Sequence, residues 1–566
     1  MSESRRSSVA GSVVSSAFLK TKIGTTTVVS PGSFSAQERH YPRVANASLH
    51  PTVSQFLGLT RDQIIARYCA VHVGVSPAAL RALLAHTPSH FKWGGCDLFV
   101  VGPVRRCVVV ETNSCPSGQK SVPYVDGDEL NGYGRLLRGA FASLTKGTTS
   151  ADGVLAVLYD KNVMEAGGYA SALAELTGED VYLCESFLTD PDPPIRWDAV
   201  GRLSVRAPSG HWLPARAALR YVTQKPWSRL PIVPTTPLLN PLLPCLGGGR
   251  NKMLAARAYM ALNAKLDAAG AGLELKTPAT VGDVEKSDVA GIIARMGGCA
   301  VVKVPYGNAG QGVYTITSPA ELAAFQAESH RYEKFIVQQL VGGPEWGHAR
   351  SDGGAAAPVA APAATTAAAA NSESRGERPP RPTAAAGKGK AAPEAPPFEH
   401  MYHLGTVPNK RGETFVFDMR MMVAADDDGF APVAVYARRA LEPLSRLPPP
   451  PSAVSGGPSA SWLQLGTNLS RLTDDLTWTT ESERLIIADV RDFPALGVSV
   501  DDLIDGFVQS VLAMTAIDDM CAKLLTPSGS FDIDAFEALN DDAALVDELR
   551  AQSLAFSRAA SPTEAF

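Results

Sequence analysis

Residues 153–185 contain the pattern that most restricts the fold of this chain. VLAVLYD is an apolar run typical of a buried strand, ASALAELTG predicts a helix that ends at Gly178, and VYLCE predicts a second buried strand. A strand, a helix and a strand at this spacing form a βαβ unit, which requires a small parallel sheet. We therefore expect an α+β or α/β protein in which residues 151–245 form a βαβ domain, extended by the strands RLSVRAP and HWLPARAALRYV.

The overall composition excludes several classes of protein. With 566 residues, 45% of them hydrophobic and 19% charged, the chain can form several globular domains. A net charge of −5 gives no indication of a nucleic-acid partner, and no apolar run approaches the ~20 residues of a membrane helix. The first residues lack a secretory apolar segment, and the eight cysteines lack metal-binding spacing. We therefore expect a cytoplasmic protein with reduced thiols.

Changes in composition mark the remaining segments. Residues 1–50, rich in Ser and Thr, and residues 346–397, rich in Ala and Pro, contain too little apolar surface to fold and are predicted to be disordered. The other predicted segments are a helical region with a β-hairpin (51–150), an α+β region that opens with a helix (246–345), a second α+β region that ends in a helix near Leu503–Leu524 (398–525), and an acidic tail that adds little (526–566).

The segment CDLFVVGPVRRCVVVETN predicts a β-hairpin with a tight turn at its Gly-Pro pair. Glu111 and Asn113 are two residues apart on the second strand and therefore share a face. If the hairpin turns symmetrically about Val104, Asp97 lies directly opposite Glu111. Oxygen ligands of this kind suit Mg²⁺, although an exposed polar face of a hairpin would show the same residues.

The segment CAVVKVPYGNAGQGVYTI predicts a strand that ends near Lys303, a loop with Gly307, Gly310 and Gly312, and a second strand. Glycines allow backbone N–H groups to approach phosphates, and the lysine adds a positive charge. The lysine precedes the glycines, which excludes a Walker A loop, and the strand after the loop excludes the Rossmann fingerprint. A glycine-rich turn without a function remains an alternative.

The strand KFIVQQLVGG follows about thirty residues later. Its backbone from Gln338 through Gln339 and Leu340 to Val341 is a candidate for hydrogen bonds to an adenine edge. An ordinary core strand would have the same pattern.

Four further cationic positions are candidates for phosphate binding. The strand FVFDMRMMV places Asp418 and Arg420 on one face, and YARRA supplies Arg438 and Arg439. Arginine binds phosphate oxygens in pairs, but an Asp–Arg ion pair on the sheet face explains the same pattern. Lys252 follows GGGRN at the start of a predicted helix, where phosphates are favoured, and taken alone it is also a surface lysine.

Together these motifs resemble the ATP-grasp superfamily, whose members hold ATP and Mg²⁺ between two α+β subdomains. The resemblance implies the following roles: magnesium ligands, Asp97, Glu111 and Asn113; phosphate lysines, Lys252 and Lys303; lid glycines, Gly307, Gly310 and Gly312; adenine segment, Gln338, Gln339, Leu340 and Val341; phosphate- and metal-facing residues, Arg420, Arg439 and Asn468. The metal hairpin precedes the lid here, a permuted order that resembles eukaryotic glutathione synthetase. We therefore expect a circularly permuted ATP-grasp fold with an inserted βαβ domain.

The resemblance implies an ATP- and magnesium-dependent ligase. Such an enzyme joins a carboxylate to an amine through an acyl phosphate and releases ADP and phosphate, with amino acids or small peptides as the expected substrates. A phosphotransferase acting on a hydroxyl and a non-catalytic nucleotide-binding scaffold are the alternatives. Gln119 and Lys120 are candidates to contact a substrate carboxylate or are plain loop residues, and Cys115 is either reactive or incidental. No nucleic-acid or membrane partner is expected, and a homo-oligomer is compatible with the sequence.

Overall fold

The protein is a mixed α+β structure with several sheets. The computed structural model describes residues 21–101, 106–123, 128–307, 310, 312–330, 332–341, 404–444, 459–472, 478–540 and 542–559. Residues 346–397, which we predict to be disordered, lie outside the described residues, as do residues 1–20.

The strands, in chain order, are β1 (Thr26–Val29), β2 (Trp93–Val101), β3 (Arg106–Asn113), β4 (Val154–Tyr159), β5 (Val181–Glu185), β6 (Ile195–Trp197), β7 (Leu203–Arg206), β8 (Trp212–Tyr221), β9 (Leu238–Leu239), β10 (Thr280–Glu285), β11 (Ala300–Lys303), β12 (Val313–Ile316), β13 (Lys334–Gln339), β14 (Thr406–Pro408), β15 (Thr414–Asp426), β16 (Gly429–Arg439), β17 (Ser470–Leu472), β18 (Trp478–Thr480) and β19 (Leu485–Ile486). The α-helices are α1 (Ala36–Arg39), α2 (Pro42–Ala45), α3 (Pro51–Leu57), α4 (Arg61–Val71), α5 (Pro77–Leu84), α6 (Asn131–Leu136), α7 (Ala142–Thr145), α8 (Val163–Thr177), α9 (Leu242–Pro244), α10 (Lys252–Ala268), α11 (Val289–Arg295), α12 (Pro319–Ala327), α13 (Ala460–Leu465), α14 (Val500–Lys523), α15 (Ile533–Leu539) and α16 (Ala543–Ala559).

The predicted βαβ unit is confirmed. β4 and β5 are parallel neighbours, and α8 connects them. β4 also pairs in parallel with β8, and β7 and β8 are antiparallel, in agreement with the two predicted strands of this region. The sheet has the order β1-β5-β4-β8-β7-β6, and β9 pairs with β8.

The prediction that residues 1–50 are disordered is wrong for residues 26–45. β1 pairs antiparallel with β5 at the edge of the βαβ sheet, and α1 and α2 follow it. Val29 and Val44 are buried in the core that this sheet shares with α8. The Ser/Thr-rich composition of the segment as a whole conceals a short run, TTVV, whose β-branched residues suit an edge strand.

A second sheet joins distant parts of the chain. Its order is β19-β16-β15-β2-β3, with β14 paired to β15, and its pairs are antiparallel. The hairpin β2–β3 therefore forms one structural unit with residues 414–439. Helix α14, predicted near Leu503–Leu524, lies against this sheet, where Gly506 approaches Leu98 and Met419.

The third sheet is four-stranded and antiparallel, in the order β10-β13-β11-β12. The strands on either side of the glycine-rich loop are β11 and β12, which pair directly, as the sequence predicts. Val302 and Phe335 belong to a small core between this sheet and its own helices.

The prediction that residues 526–566 add little is wrong for the described part of this segment. α15 and α16 form there, with Phe536 and Leu549 buried in the main core. The acidic composition conceals apolar residues at helical spacing, such as Leu545 and Leu549. Among the described residues, no helix has the length and apolar character required to cross a membrane.

We expect Val29→Asp to lower the free energy of unfolding by about 2–4 kcal/mol, because it places a charge in the core beneath the edge strand. Thr27→Asp, at an exposed position of the same strand, is the control and should change it by less than about 0.5 kcal/mol. Urea unfolding measures both values. Equal and small effects would show that this segment is not part of the folded sheet.

Candidate functional site

The hairpin brings Asp97 and Glu111 into register as predicted, with Gly95 opposite Asn113. The ladder is not regular, however, because Leu98 pairs with Val109. Val110 is therefore the extra residue of a β-bulge, and such bulges redirect the groups beside them.

A cavity of about 320 Å³ lies between β3, the start of α10 and the four-stranded sheet. Its wall combines charged or polar groups with an apolar surface. The polar residues include Glu111, Arg250, Lys252, Lys303 and Gln338, and the apolar ones include Val109, Ala255, Tyr259, Met260 and Ile336. Four of these residues are among those predicted from the sequence, and they lie on four different elements, β3, α10, β11 and β13.

Lys303 lies at the end of β11 and is 9% exposed. Its Nζ donates to Gln338 Oε1 at 2.6 Å and to the carbonyl oxygen of Val110 at 3.3 Å. Burial lowers the pKa of Lys303 to about 8, partly opposed by the negative charge of Glu111 and reinforced by the positive charge of Lys252. A buried ammonium group held by neutral dipoles favours the binding of an anion.

Lys252 is the first residue of α10, and its Nζ faces the same cavity. It donates to the carbonyl oxygen of Gly307 at 2.6 Å and lies 3.3 Å from Glu111 Oε1. The start of α10, the glycine-rich loop and the hairpin therefore meet at this lysine.

Glu111 lines the cavity and suits a magnesium–nucleotide complex, whereas Asn113 is not part of the cavity wall and its role as a ligand stays a prediction. Glu111 remains 30% exposed toward the cavity, and Asn113 Nδ2 donates to the carbonyl oxygen of Gly95 at 3.4 Å. Within the described residues, no three Asp, Glu, His or Cys side chains converge as in a metal site built by protein alone. Mg²⁺ bound with nucleotide needs only one or two carboxylates, because phosphates and waters complete its shell.

Asp97 and Arg420 face each other in a buried ion pair, and the magnesium and phosphate roles expected for them stay predictions. Arg420 Nε and Nη2 donate to the two oxygens of Asp97 at 2.7 and 2.8 Å, and Arg438 Nη2 is 2.9 Å from the same carboxylate. Arg438 is also paired with Asp418. Burial alone would raise the pKa of Asp97, but the two arginines outweigh it and hold the pKa well below its usual range. Both residues belong to a buried ion-pair cluster.

This cluster also fixes the loop that follows Asn113. Tyr436 Oη donates to the carbonyl oxygen of Ser117 at 2.7 Å, and Arg420 Nη1 lies 3.4 Å from the same oxygen. On the other side, the buried carboxylate of Glu165 accepts hydrogen bonds from Ser117 Oγ and from the backbone N–H of Gly118. Gly118 has φ +142°, and a Cβ there would lie 2.2 Å from the Tyr436 ring.

The three other candidates near this loop are held by the protein. Gln119 is fully buried, and Lys120 is 7% exposed and donates to Asn162 Oδ1. Neither side chain faces the cavity described above. Burial raises the pKa of Cys115 to about 12, so its group is a thiol and a poor nucleophile.

Arg439, Asn468 and Gly310 lie apart from the cavity wall. A Cβ at Gly310 would be 2.9 Å from the ring of Trp462 and 3.6 Å from Asn468 Cβ. The guanidinium of Arg439 lies 4.4 Å from the ring centroid of Phe415. Gly310, Asn468 and Trp462 therefore meet beside the glycine-rich loop, and the role of this group stays a prediction.

Of the four residues predicted to contact adenine, the first lines the cavity and the other three do not. Gln338 lines the cavity, whereas the backbone N–H of Gln339 donates to the carbonyl oxygen of Ala279. Leu340 packs against Leu465, and Val341 belongs to a different small cluster. Gln338 is thus the residue of this segment that the structure brings to the site.

Sequence reasoning missed Arg250, which lines the cavity and lies just before the N-cap residue of α10. Its position in GGGRN, two residues before a candidate phosphate lysine, was the available signal. Burial lowers the pKa of Lys161, which follows the carboxyl end of β4, and the positive charge of Arg250 lowers it further, partly opposed by Asp160. Asp160 beside it accepts from the backbone N–H groups of Thr223 and Gln224, which follow β8. Crevices at the carboxyl ends of parallel strands are common ligand sites.

Comparisons with known proteins leave the family open. No family model matches the chain, and no curated protein is similar to it. Among solved structures, it is similar to a protein of Methylobacillus flagellatus KT provisionally named gamma-glutamylcysteine synthetase, with a TM-score of 0.40 and 12% identity over 83% of this chain and 98% of the other. A TM-score this low supports no assignment, so the site is interpreted from its own residues.

Asp97→Asn should lower the free energy of unfolding by about 3–5 kcal/mol, because two buried arginines lose a charged partner. The control is Asp427→Asn, which removes a solvent-exposed ion pair with Lys146 and should leave the free energy of unfolding nearly unchanged. Chemical denaturation measures both. A loss at Asp97 no greater than that of the control would show that the cluster is not structural.

Proposed function

We propose that the protein is an ATP- and magnesium-dependent ligase that joins a carboxylate to an amine through an acyl phosphate. The observation that supports this most is the meeting of Lys252, Lys303 and Glu111 in one cavity beside a glycine-rich loop. Two cations and one carboxylate suit a magnesium–triphosphate complex better than a free carboxylate or a neutral ligand.

In this proposal Lys252 and Lys303 bind the phosphates of ATP. Gln338 lines the same cavity beside them. Glu111 and Asn113 would hold Mg²⁺, which neutralises phosphate charge when it is bound. The apolar part of the cavity, near Ala255 and Ile336, offers a surface for the base.

In this proposal the acid substrate binds at the carboxyl end of β4, near Lys161 and Arg250. Because Arg250 also lines the nucleotide cavity, it connects the two sites. The substrate carboxylate oxygen attacks the γ-phosphorus, and the bond to ADP breaks. An amine then attacks the acyl carbon, inorganic phosphate leaves, and the amine gives up a proton.

Arg250 replaces Arg420 as the arginine proposed to stabilise the transferred group. Its guanidinium lies 5.1 Å from the ring centroid of Tyr306, and its Nη1 donates to the carbonyl oxygen of Thr223. Its Nε is buried without a partner among the described residues. The chemistry requires no protein nucleophile, which agrees with the high pKa of Cys115.

We expect Glu111→Gln to reduce substrate-stimulated ADP release by at least about a hundredfold, because it removes the carboxylate proposed to hold the metal. Glu285→Gln, at an exposed position on β10, is the control and should retain full activity. The assay supplies Mg²⁺, ATP and a panel of amino acids and di-acids, and the unfolding midpoint confirms that the variant is folded.

The products decide between the alternatives. An amide together with ADP supports the ligase, whereas a stable phosphorylated product supports a phosphotransferase acting on a hydroxyl. Binding of Mg-ATP without turnover on the whole panel would favour the non-catalytic scaffold. Absence of Mg-ATP binding in calorimetry would overturn the nucleotide assignment.

The affinity for Mg-ATP should fall about tenfold between pH 7 and pH 9, because Lys303 loses its proton near pH 8 and phosphate requires the charged form. Lys303→Arg keeps its charge throughout this range and should remove the dependence. Calorimetric titration at each pH measures both proteins. Parallel profiles for the two would show that Lys303 does not control phosphate binding.

A further inference from the structure

The C-terminal helices reach the nucleotide cavity through one buried amide. Asn540, which follows α15, is 2% exposed, and its Oδ1 accepts a hydrogen bond from Asn251 Nδ2 at 2.9 Å. This contact joins two residues that are 289 positions apart in the chain. The tail is therefore fixed to the residue immediately before Lys252.

Asn251 is fully buried and forms the N-cap of α10. Its Oδ1 accepts from the backbone N–H groups of Met253 and Leu254, each at 3.2 Å. The amide oxygen of Asn251 is thus held by the helix, and its NH₂ group is held by Asn540. Loss of Asn540 would leave a buried donor without its acceptor and free the amide to rotate away from the helix.

The position of Lys252 depends on this cap. Its backbone N–H donates to the carbonyl oxygen of Pro305 at 2.9 Å, while its Nζ reaches Gly307 and Glu111. A shift in the first turn of α10 would move the ammonium relative to the other charged groups of the cavity.

A second contact of the C-terminal helices supports Arg250. Glu548 on α16 accepts from Lys225 Nζ at 2.7 Å and from Trp227 Nε1 at 2.9 Å. The Trp227 ring meets Tyr306 edge to face, with centroids 4.8 Å apart, and Arg250 lies beside both rings. The tail therefore supports Arg250 as well as Lys252.

We infer that Asn540 is a positioning residue for the phosphate-binding lysine and that the C-terminal helices support the nucleotide site from outside its wall. This inference rests on the proposed function, because it assigns the phosphate to Lys252. Asn540 itself lies outside the cavity wall and acts through Asn251.

The experiment compares Asn540→Ala, Asn540→Asp and the control Gln552→Ala. The aspartate variant keeps an oxygen where Asn251 needs an acceptor. Gln552 lies on α16, is 8% exposed and donates to the carbonyl oxygen of Leu230, so the control weakens the attachment of the tail without touching α10. The dissociation constant of Mg-ATP by calorimetry and the unfolding midpoint are measured for each protein.

Asn540→Ala should weaken Mg-ATP binding about tenfold, as expected for the loss of one buried hydrogen bond at the site. Asn540→Asp and Gln552→Ala should stay within about twofold of the unaltered protein, even where their unfolding midpoints fall. Equal weakening by Gln552→Ala, or unchanged binding in Asn540→Ala, would overturn the inference. If the unaltered protein does not bind Mg-ATP, the proposed function fails and this role fails with it.

Discussion

The antiparallel pairing of β2 with β15 is the contact on which the rest of the structure depends. It brings Asp97 opposite Arg420, and the buried ion pair between them holds two segments of the chain that are more than three hundred residues apart. A buried pair of this kind contributes little net stability but is costly to break, so it favours one register over its alternatives. Through Tyr436 and Ser117 the same cluster also fixes the loop beside the proposed metal ligands.

The proposed site collects its charges from independent elements. β3 supplies Glu111, the start of α10 supplies Lys252, and β11 supplies Lys303. Each of these elements is held in place by a different part of the protein. The sheet β19-β16-β15-β2-β3 holds β3, the C-terminal helices hold the start of α10, and the core of the four-stranded sheet holds β11. The ammonium groups of Lys252 and Lys303 can be held close together in this way, because the stability of the rigid elements offsets the repulsion between the two charges.

Periodicity predicted the parts of the fold that depend on local pattern. The βαβ unit, the hairpin pairing of Asp97 with Glu111 and the strands around the glycine-rich loop all follow from alternation and turn residues. Alternation shows which residues share a face, but it does not show what covers that face, so the burial of Asp97 and Arg420 was hidden. β1 and the C-terminal helices were missed because the polar average composition of their segments hides short apolar patterns. Arg250 was missed for another reason, because its neighbours in space come from distant segments of the chain.

The bulge at Val110 determines part of the surroundings of Lys303 in the free protein. An extra residue in one strand leaves a carbonyl outside the regular ladder, and here that carbonyl faces Lys303 Nζ. Together with the amide of Gln338, it surrounds the ammonium with neutral oxygens in the manner of a partial hydration shell. A phosphate that binds would replace these neutral oxygens around the ammonium group with its own oxygens. Because Lys303 is already removed from water in the free protein, the anion can bind without first desolvating the lysine.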